Sequence, residues 1–533
     1  MYKYFLSLAL LTSFCSGYTQ TTEVDPLAKQ YAQTITQEEL REHLQIIASD
    51  DMEGRETGTA GQKKAAAYIS GYFAGLNLPP VVGDTSYFQT YPITENKWEE
   101  PYIEVDGQRF TFLEDFYSFF RLADPIDTSF QQITFAGYGI SSEKYDDYAE
   151  VDVTGEAVMI LAGEPQDKEG NYYVTDSSEP SRFTKSLMAS LGTKRTLAGI
   201  EDAALVIVVD DDFKKHLNRY SMAARRPILK LQNKFAQPSL VIISPKMAKA
   251  LSGKNDLDKL QQRIDKKGKS SSFTNKVSLK VDLQQDVEHI TSENVLGYVE
   301  GSDLKDELIV VTAHYDHIGK QGEFINNGAD DDGSGTVTVL EVAEAFVEAK
   351  EAGNGPRRSI LFMTVSGEEK GLFGSKYYTE YPIFPLEKTI ANLNIDMVGR
   401  IDPYHAEDSN YVYIIGSDRL SAELHQVNEE ANQTYTQLNL DYRYNAEDDP
   451  NRFYYRSDHY NFAKNNIPVV FYFNGTHADY HRPSDTIEKI SFPLLQKRAQ
   501  LVFHTAWKLA NRDERIMVDK IEKGEGSKEN GEE

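Results

Sequence analysis

Residues 307–317 read ELIVVTAHYDH, a short apolar run that ends in two histidines and an aspartate. The apolar, β-branched part, residues 307–313, predicts a buried β-strand. His314, Asp316 and His317 follow where that strand ends. In open α/β sheets, ligands bind beyond the carboxyl ends of the strands. We therefore expect functional chemistry at this position.

Three further strand-like runs end in side chains that can bind metals: RSILFMTVSG (358–367) before Glu368 and Glu369, TIANLNI (389–395) before Asp396, and IPVVFYF (467–473) before His477, Asp479 and His481. The carboxyl ends of parallel strands meet at one edge of a sheet, so these side chains should converge in one crevice. Strand–helix alternation from about residue 292 to 512 favours such a sheet, mostly parallel and flanked by helices.

The stretch NNGADDDGSG (326–335) is a glycine-rich turn that opens an amphipathic helix with Val339, Val342, Ala343 and Phe346 on one face. Three consecutive aspartates, residues 330–332, would crowd charge around the helix N-terminus. The helix needs only one of them, and a bound cation would explain the rest.

Taken together, these motifs resemble peptidase family M28, the co-catalytic zinc exopeptidases. The resemblance rests on His314-x-Asp316, the turn 328–335, Glu368-Glu369-x-Gly-Leu-x-Gly-Ser, Ile395-Asp396-Met397 and His481-x-x-x-Asp485-Thr486, which occur in that order. It covers residues 292–512 strongly and helices near residues 38–78 more loosely. It implies an α/β zinc exopeptidase fold with a mixed, mostly parallel sheet.

The resemblance also implies roles for individual residues and a cofactor of two Zn²⁺ ions per chain. His314 and Asp396 would bind one ion, Glu369 and His481 the other, and Asp331 would bridge them. Glu368 would be the general base, and Asp316 and Asp485 would orient the imidazoles of the two ligand histidines. Manganese or cobalt could occupy the same ligands.

These roles agree with the chemistry. Two divalent ions about 3.5–4 Å apart need an anionic bridge, and a bridging hydroxide can attack a peptide carbonyl. Adjacent residues such as Glu368 and Glu369 at a strand end point in different directions, so one can bind metal while the other faces the substrate. For the substrate itself we consider Tyr455, Asp458 and His477, and for His317 we assign no role.

The chain has five predicted segments: a signal peptide (1–20), the start of the peptidase domain (25–108), an inserted small β-rich domain (109–288), the rest of the peptidase domain with the metal site (289–512), and a disordered charged tail (513–533). Residues 135–163 of the insertion resemble a protease-associated domain. Such domains lie over an active site or contact partners.

Composition limits the possible partners and compartment. The 533 residues include 56 Lys and Arg against 83 Asp and Glu, a formal charge of −27, which disfavours nucleic acid and anionic membrane surfaces. The only cysteine is Cys15, within the apolar segment. We expect export to the periplasm or the extracellular space, a lipoprotein anchor at Cys15 being the alternative, and no transmembrane segment in the mature chain.

The favoured function is a secreted aminopeptidase acting on peptides. A carboxypeptidase of the same family is one alternative, and it would need cations near the site, for which Arg456 and Arg482 are candidates. A non-catalytic binding module on the same fold is another, although every expected ligand and the base are present. Glutaminyl cyclase activity is less favoured, and a serine hydrolase is disfavoured because no G-x-S-x-G motif occurs.

Overall fold

A computed structural model describes residues 24–232 and 237–520. The predicted signal peptide, Cys15 and most of the predicted charged tail lie outside these residues. Within them, the chain divides into two compact units, unit 1 (24–89 and 293–520) and unit 2 (90–232 and 237–292). No helix of the described residues is long and apolar enough to cross a membrane.

The helices, in chain order, are α1 (Pro26–Ala32), α2 (Gln37–Ile47), α3 (Ala60–Gly75), α4 (Leu187–Ile200), α5 (Phe213–Arg225), α6 (Pro245–Ser252), α7 (Leu257–Lys267), α8 (Gly335–Glu351), α9 (Phe373–Glu380), α10 (Ala422–Ala431), α11 (His459–Ala463) and α12 (Phe492–Asn511).

The strands are β1 (Phe88–Trp98), β2 (Tyr102–Val105), β3 (Gln108–Thr111), β4 (Phe116–Tyr117), β5 (Asp127–Ala136), β6 (Ala157–Leu161), β7 (Leu205–Val209), β8 (Ile228–Leu231), β9 (Ser239–Ile243), β10 (Ser272–Asp282), β11 (Gln285–Val299), β12 (Leu304–His314), β13 (Lys320–Gln321), β14 (Phe324–Ile325), β15 (Arg358–Val365), β16 (Thr389–Ile395), β17 (Tyr411–Ile415), β18 (Asn439–Asp441) and β19 (Val469–Phe473).

Unit 1 contains the predicted mixed sheet. Seven of its strands follow the order β18-β17-β19-β16-β12-β15-β11. The four central strands, β19, β16, β12 and β15, run parallel, and antiparallel pairing joins β17 to β19 and β11 to β15. The fold class expected for this unit, a mixed and mostly parallel sheet flanked by helices, is confirmed.

Helices cover both faces of this sheet, which explains the continuous apolar runs in its strands. In β12, Ile309, Val311 and Ala313 pack into one hydrophobic core with residues of α8 and α12, while Leu308 and Val310 pack into a second core that includes residues of α9 and α11. The alternation follows from the two-residue period of a strand.

The N-terminal helices belong to the same unit. Leu40, Leu44 and Ile47 form the buried face of α2, as the helical spacing predicts. In α3 the fully buried positions include Ile69 and Phe73, whereas Tyr68 is half-buried.

Unit 2 has its own eight-stranded sheet in the order β3-β2-β10-β5-β6-β7-β9-β4. Its strands β5, β6, β7 and β9 run parallel, and the helices α4 to α7 belong to this unit. The unit is therefore α/β rather than simply β-rich. It begins at Thr90, earlier than the boundary at residue 109 that composition suggested.

A buried carboxyl lies in the helical layer of unit 1. Glu341 on α8 is 1% exposed, and its Oε1 lies 3.3 Å from Nε2 of His43 on α2. Burial raises the pKa of Glu341 to about 7, although the nearby His43 ring counteracts part of the shift. The folded protein therefore binds this proton more tightly than the unfolded chain does, so stability falls as pH rises from about 4.5 to about 7.

Substitution Glu341→Gln should remove this loss of stability at higher pH. We expect E341Q to exceed the wild type in free energy of unfolding by about 1–3 kcal/mol at pH 8 and to differ little from it at pH 5, because the neutral amide needs no proton. Urea titrations at the two pH values measure the difference. The matched control is E351Q, at an exposed position of α8, and an equal loss of stability at both pH values in E341Q would contradict the prediction.

Candidate metal centre

Four parallel strands deliver the predicted functional residues to one edge of the sheet. The strands lie side by side in the order β15-β12-β16-β19, and His314 at the end of β12 pairs in register with Val365 at the end of β15. Glu368 and Glu369 follow β15, and Asp396 follows β16. The convergence expected from the sequence is what the topology produces.

The aspartate turn, Ala329–Ser334, lies directly before α8, and its backbone is non-helical at Asp331 and Asp332. Asp332 ties this turn to two strand ends. Its carboxylate accepts hydrogen bonds from the backbone N–H groups of His314, Gly335 and Met397. These backbone hydrogen bonds hold the Asp332 carboxylate within the turn, whereas the neighbouring Asp331 carboxylate faces the crevice.

Asp330 and Asp485 hold the turn from its other side. Asp330 accepts hydrogen bonds from the Gly399 N–H and the Ser334 hydroxyl. The Asp485 carboxylate accepts from the N–H groups of Asp330 and Asp331, at 3.0 and 3.2 Å. Asp485 was predicted to orient His481, but its hydrogen bonds fix the backbone of the turn instead.

The first group of candidate ligands consists of His314, Asp331 and Asp396. His314 Nε2 lies 3.3 Å from Asp331 Oδ1 and 3.7 Å from Asp396 Oδ1. The other ring nitrogen, Nδ1, lies 3.0 Å from the Asp316 carbonyl oxygen and 3.7 Å from its carboxylate. Asp316 therefore orients this imidazole, chiefly through its backbone oxygen, and leaves Nε2 for a metal.

The second group of candidate ligands faces the other carboxylate oxygen of Asp331, Oδ2. His481 Nε2 is 3.1 Å from Asp331 Oδ2 and 3.2 Å from Glu369 Oε1. His317, which the sequence left without a role, also belongs here and forms a candidate group with Asp331 and Glu369. Asp331 is the member common to both groups.

The residues fit a bound metal ion. Three atoms that face one another, Asp331 Oδ2, Glu369 Oε1 and His481 Nε2, are buried and have no hydrogen-bond partner among the described residues. Buried polar atoms in native proteins nearly always have a partner. Histidine nitrogen and carboxylate oxygen are ligands that zinc accepts, at about 2.0–2.2 Å. A cation therefore explains atoms that the protein alone leaves unsatisfied.

The electrostatics point the same way. Burial raises the pKa of Glu368 well above its usual range, and the carboxylates of Asp396 and Glu369 raise it further. Burial acts to lower the pKa of His314, but the surrounding carboxylates, Glu368 first, hold it well above its usual value. The side chains thus concentrate negative charge, which a divalent cation would compensate.

Glu368 and Glu369 have different surroundings, as their adjacency predicts. Glu369 faces the two histidines of the second group, whereas Glu368 lines the pocket beside the centre together with His314 and Asp396. The backbone N–H of Glu368 donates to Asp316 Oδ1 at 3.2 Å, which fixes the start of this loop.

None of the three predicted substrate contacts lines this pocket. His477 Nε2 lies 3.1 Å from Asp330 Oδ2, so its ring is held against the turn. Tyr455 packs on Tyr460, with ring centroids 5.0 Å apart. Asp458 is fully buried and accepts a hydrogen bond from Ser375, and burial raises its pKa to about 7. These contacts fix the three side chains within the protein, and substrate contact by any of them stays a prediction.

The pocket walls are mostly aromatic instead. Apart from the centre itself, the lining residues are Met397, Phe453, Arg456, Phe471, Phe473, Thr476 and Tyr480. Phe471 and Phe473 belong to β19, two residues apart and on one face of the strand. That two-residue spacing was visible in the sequence, but it is equally typical of core packing.

Sequence reasoning also missed Arg55, in the loop between α2 and α3. Its guanidinium is fully buried and donates to four backbone carbonyl oxygens, those of Ile47, Tyr315, Asn327 and Gly328. Thr57 in the same loop donates its hydroxyl to Asp316 Oδ2 at 2.7 Å. The N-terminal segment thus supports the strand end and the aspartate turn from behind.

Residues 294–506, about two-fifths of the chain, match the model of peptidase family M28. The family resemblance predicted from the sequence is therefore confirmed over this domain.

Individual relatives agree with the family match. The chain is 30% identical to a probable leucine aminopeptidase of Trichophyton verrucosum, over 38% of this chain and 55% of the relative. It is 26% identical to aminopeptidase YwaD of Bacillus subtilis, over 49% and 51%. The aminopeptidase from Aneurinibacillus sp. strain AM-1 aligns over 93% of this chain and 98% of its own, with 18% identity and a TM-score of 0.46. The chain spans about half the length of the curated relatives that it matches.

Gly328 tests how tightly the turn is built. It has φ +54°, and a Cβ there would lie 2.1 Å from the Asp331 carbonyl oxygen and 2.7 Å from the His317 ring. We expect Gly328→Ala to displace both residues, to lower stability by about 2 kcal/mol or more, and to reduce zinc content. Thermal unfolding and elemental analysis measure the two effects.

Gly322 provides the matched control for this substitution. It also has positive φ, +64°, but no atom lies within 4 Å of its hypothetical Cβ. Gly322→Ala should lower stability only through backbone strain at positive φ, by about 1 kcal/mol, and the variant should keep its zinc. Similar losses of zinc in both variants would refute the close-packing explanation.

Proposed function

We propose that the protein is an aminopeptidase with two zinc ions, which hydrolyses N-terminal residues from peptides. The observation that supports this most directly is the position of Asp331 between the two ligand groups, one on each of its carboxylate oxygens. One carboxylate shared in this way is the arrangement that a pair of divalent ions requires. The names of the relatives favour aminopeptidase activity over other reactions of the fold.

The zinc ions, when bound, would supply a Lewis acid for the scissile carbonyl and lower the pKa of a bound water. Glu368 is the one carboxylate at the centre that lines the pocket without belonging to either ligand group. Its raised pKa suits a group that accepts a proton from the attacking water and gives it to the leaving amine.

Substitutions at Glu368 and Glu369 should have different effects, one on catalysis and the other on metal binding. We expect Glu368→Gln to lower kcat by about 10²–10⁴-fold while both ions stay bound, because only the proton acceptor is lost. We expect Glu369→Gln to lose zinc, because it removes a charged ligand. Hydrolysis of aminoacyl-chromophore substrates and zinc content, measured on the same preparations, distinguish the two outcomes.

The control for both variants is Glu387→Gln, at an exposed position that belongs neither to the pocket lining nor to the candidate ligand groups. Chelator should abolish activity of the wild type, and N-acetylated substrates should not be cleaved. Full activity in E368Q would refute the assigned base. A folded, zinc-loaded wild type that cleaves nothing would instead favour the binding-module alternative.

Arg456 keeps the carboxypeptidase alternative open. Its side chain lines the pocket, with the guanidinium 4.8 Å from the centroid of the Phe453 ring. A guanidinium at that position could bind a substrate carboxylate. Arg482, the other candidate from the sequence, is not among the pocket-lining residues.

Arg456→Gln distinguishes the two directions of cleavage. If Arg456 anchors a C-terminal carboxylate, R456Q should raise KM at least ~10-fold for N-acetylated dipeptides with a free carboxylate. If the protein is an aminopeptidase, R456Q should leave cleavage of leucyl amides within about twofold of wild type. The matched control is Arg452→Gln, an exposed arginine that likewise lies over a ring, that of Tyr455.

Export and the role of the insertion are further parts of the proposal. Residues 1–20 support export by their short apolar stretch. The protease-associated character of the insertion rests on residues 135–163, and its function would be substrate access or partner contact.

A further inference from the structure

His317 is the functional histidine that neither the sequence motifs nor the family resemblance assigns. It follows His314 by three residues and is fully buried. Its backbone N–H donates to the Arg55 carbonyl oxygen at 3.2 Å, which fixes the main chain there. Gly328 packs against the ring, so close that a Cβ at that position would lie 2.7 Å from two of its atoms. The imidazole is therefore held in one orientation.

That orientation directs one ring nitrogen at the second ligand group. His317 Nδ1 lies 3.0 Å from Glu369 Oε1 and 3.7 Å from Asp331 Oδ2. Neither ring nitrogen has a well-directed hydrogen bond among the described residues, and Nδ1 faces only these carboxylate oxygens. Burying a polar ring with so little hydrogen bonding is costly, so the protein needs a reason to keep it.

His481 approaches the same two oxygen atoms. Its Nε2 lies 3.1 Å from Asp331 Oδ2 and 3.2 Å from Glu369 Oε1, and the two imidazole centroids are 5.7 Å apart with the rings steeply inclined. Two imidazoles thus face one pair of carboxylate oxygens. All of the facing atoms, including both nitrogens, lack other partners.

We propose that His317 is a ligand of the second metal position through Nδ1, together with Asp331, Glu369 and His481. This proposal rests on the two-metal centre of the proposed function. It makes the two positions unequal, because the first has three protein ligands and the second has four. A zinc position with a full set of protein ligands resembles a structural site, whereas one with three keeps a place for water or substrate.

The inequality has a functional consequence. The ion at the second position should be retained on exposure to chelator, while the ion at the first position should exchange. Turnover would then depend on occupancy of the first position. His317 would set this order of affinities without contacting the substrate.

The test compares zinc binding by the wild type with that of His317→Gln. We expect the wild type to release its two ions in two well-separated steps of a chelator titration. H317Q should weaken the tighter step by at least ~10–100-fold, because losing a ligand should cost no less than losing an outer-shell partner of one. Zinc-edge X-ray absorption should show three imidazoles over two ions in the wild type and two in the variant.

His459→Gln is the matched control, because His459 is also fully buried with no hydrogen bond to its ring nitrogens among the described residues, and it stacks on Phe471 rather than facing carboxylates. H459Q should keep both chelator steps. If H317Q fails to fold, the wild type still decides, because cobalt-substituted protein should show three paramagnetically shifted imidazoles in its NMR spectrum.

Two imidazoles in the wild type, or unchanged zinc release by folded H317Q, would overturn the proposal and leave His317 as a hydrogen-bond donor to Glu369. These readouts do not require activity. A wild type that shows three metal-bound imidazoles but cleaves no peptide would support the ligand assignment and refute the proposed function.

Discussion

The carboxylate of Asp331 is the constraint on which the rest of the centre depends. Its two oxygens face different groups of candidate ligands, so its position fixes how these two groups are arranged relative to each other. A small displacement of this one side chain would disturb both groups at once. This explains why so many other interactions converge on the turn that contains it.

Those interactions come from distant parts of the sequence. Asp332 connects the turn to the ends of β12 and β16, Asp485 binds its backbone N–H groups, and Arg55 binds the Gly328 carbonyl oxygen. Each of these groups is ionisable and nearly or fully buried. Buried polar and charged groups are costly unless they are hydrogen-bonded, and each of these has several hydrogen-bond partners.

The sequence predicted where the candidate ligands lie better than it predicted the residues that support them. His314, Glu369 and Asp396 could be placed because each lies at or just after the end of a strand, and neighbouring parallel strands end at one edge of the sheet. Their role as ligands stays a prediction. No comparable rule predicts where a side chain in a loop points. Asp485 and His477 were expected at the imidazole and the substrate, but they bind the aspartate turn, and His317 was left without a role. The start of unit 2 was placed late because β1 continues without a change in composition.

The balance of charge at the centre links its chemistry to its stability. Burial raises the pKa of Glu368 and of Asp332 well above their usual ranges, which means that the folded protein resists ionising them. Bound cations reverse this preference, because opposite charge favours the ionised carboxylate. Free energy released on metal binding is then free energy of folding. A metal-bound site would therefore depend on its ions for the stability of the strand ends as well as for the proposed reaction.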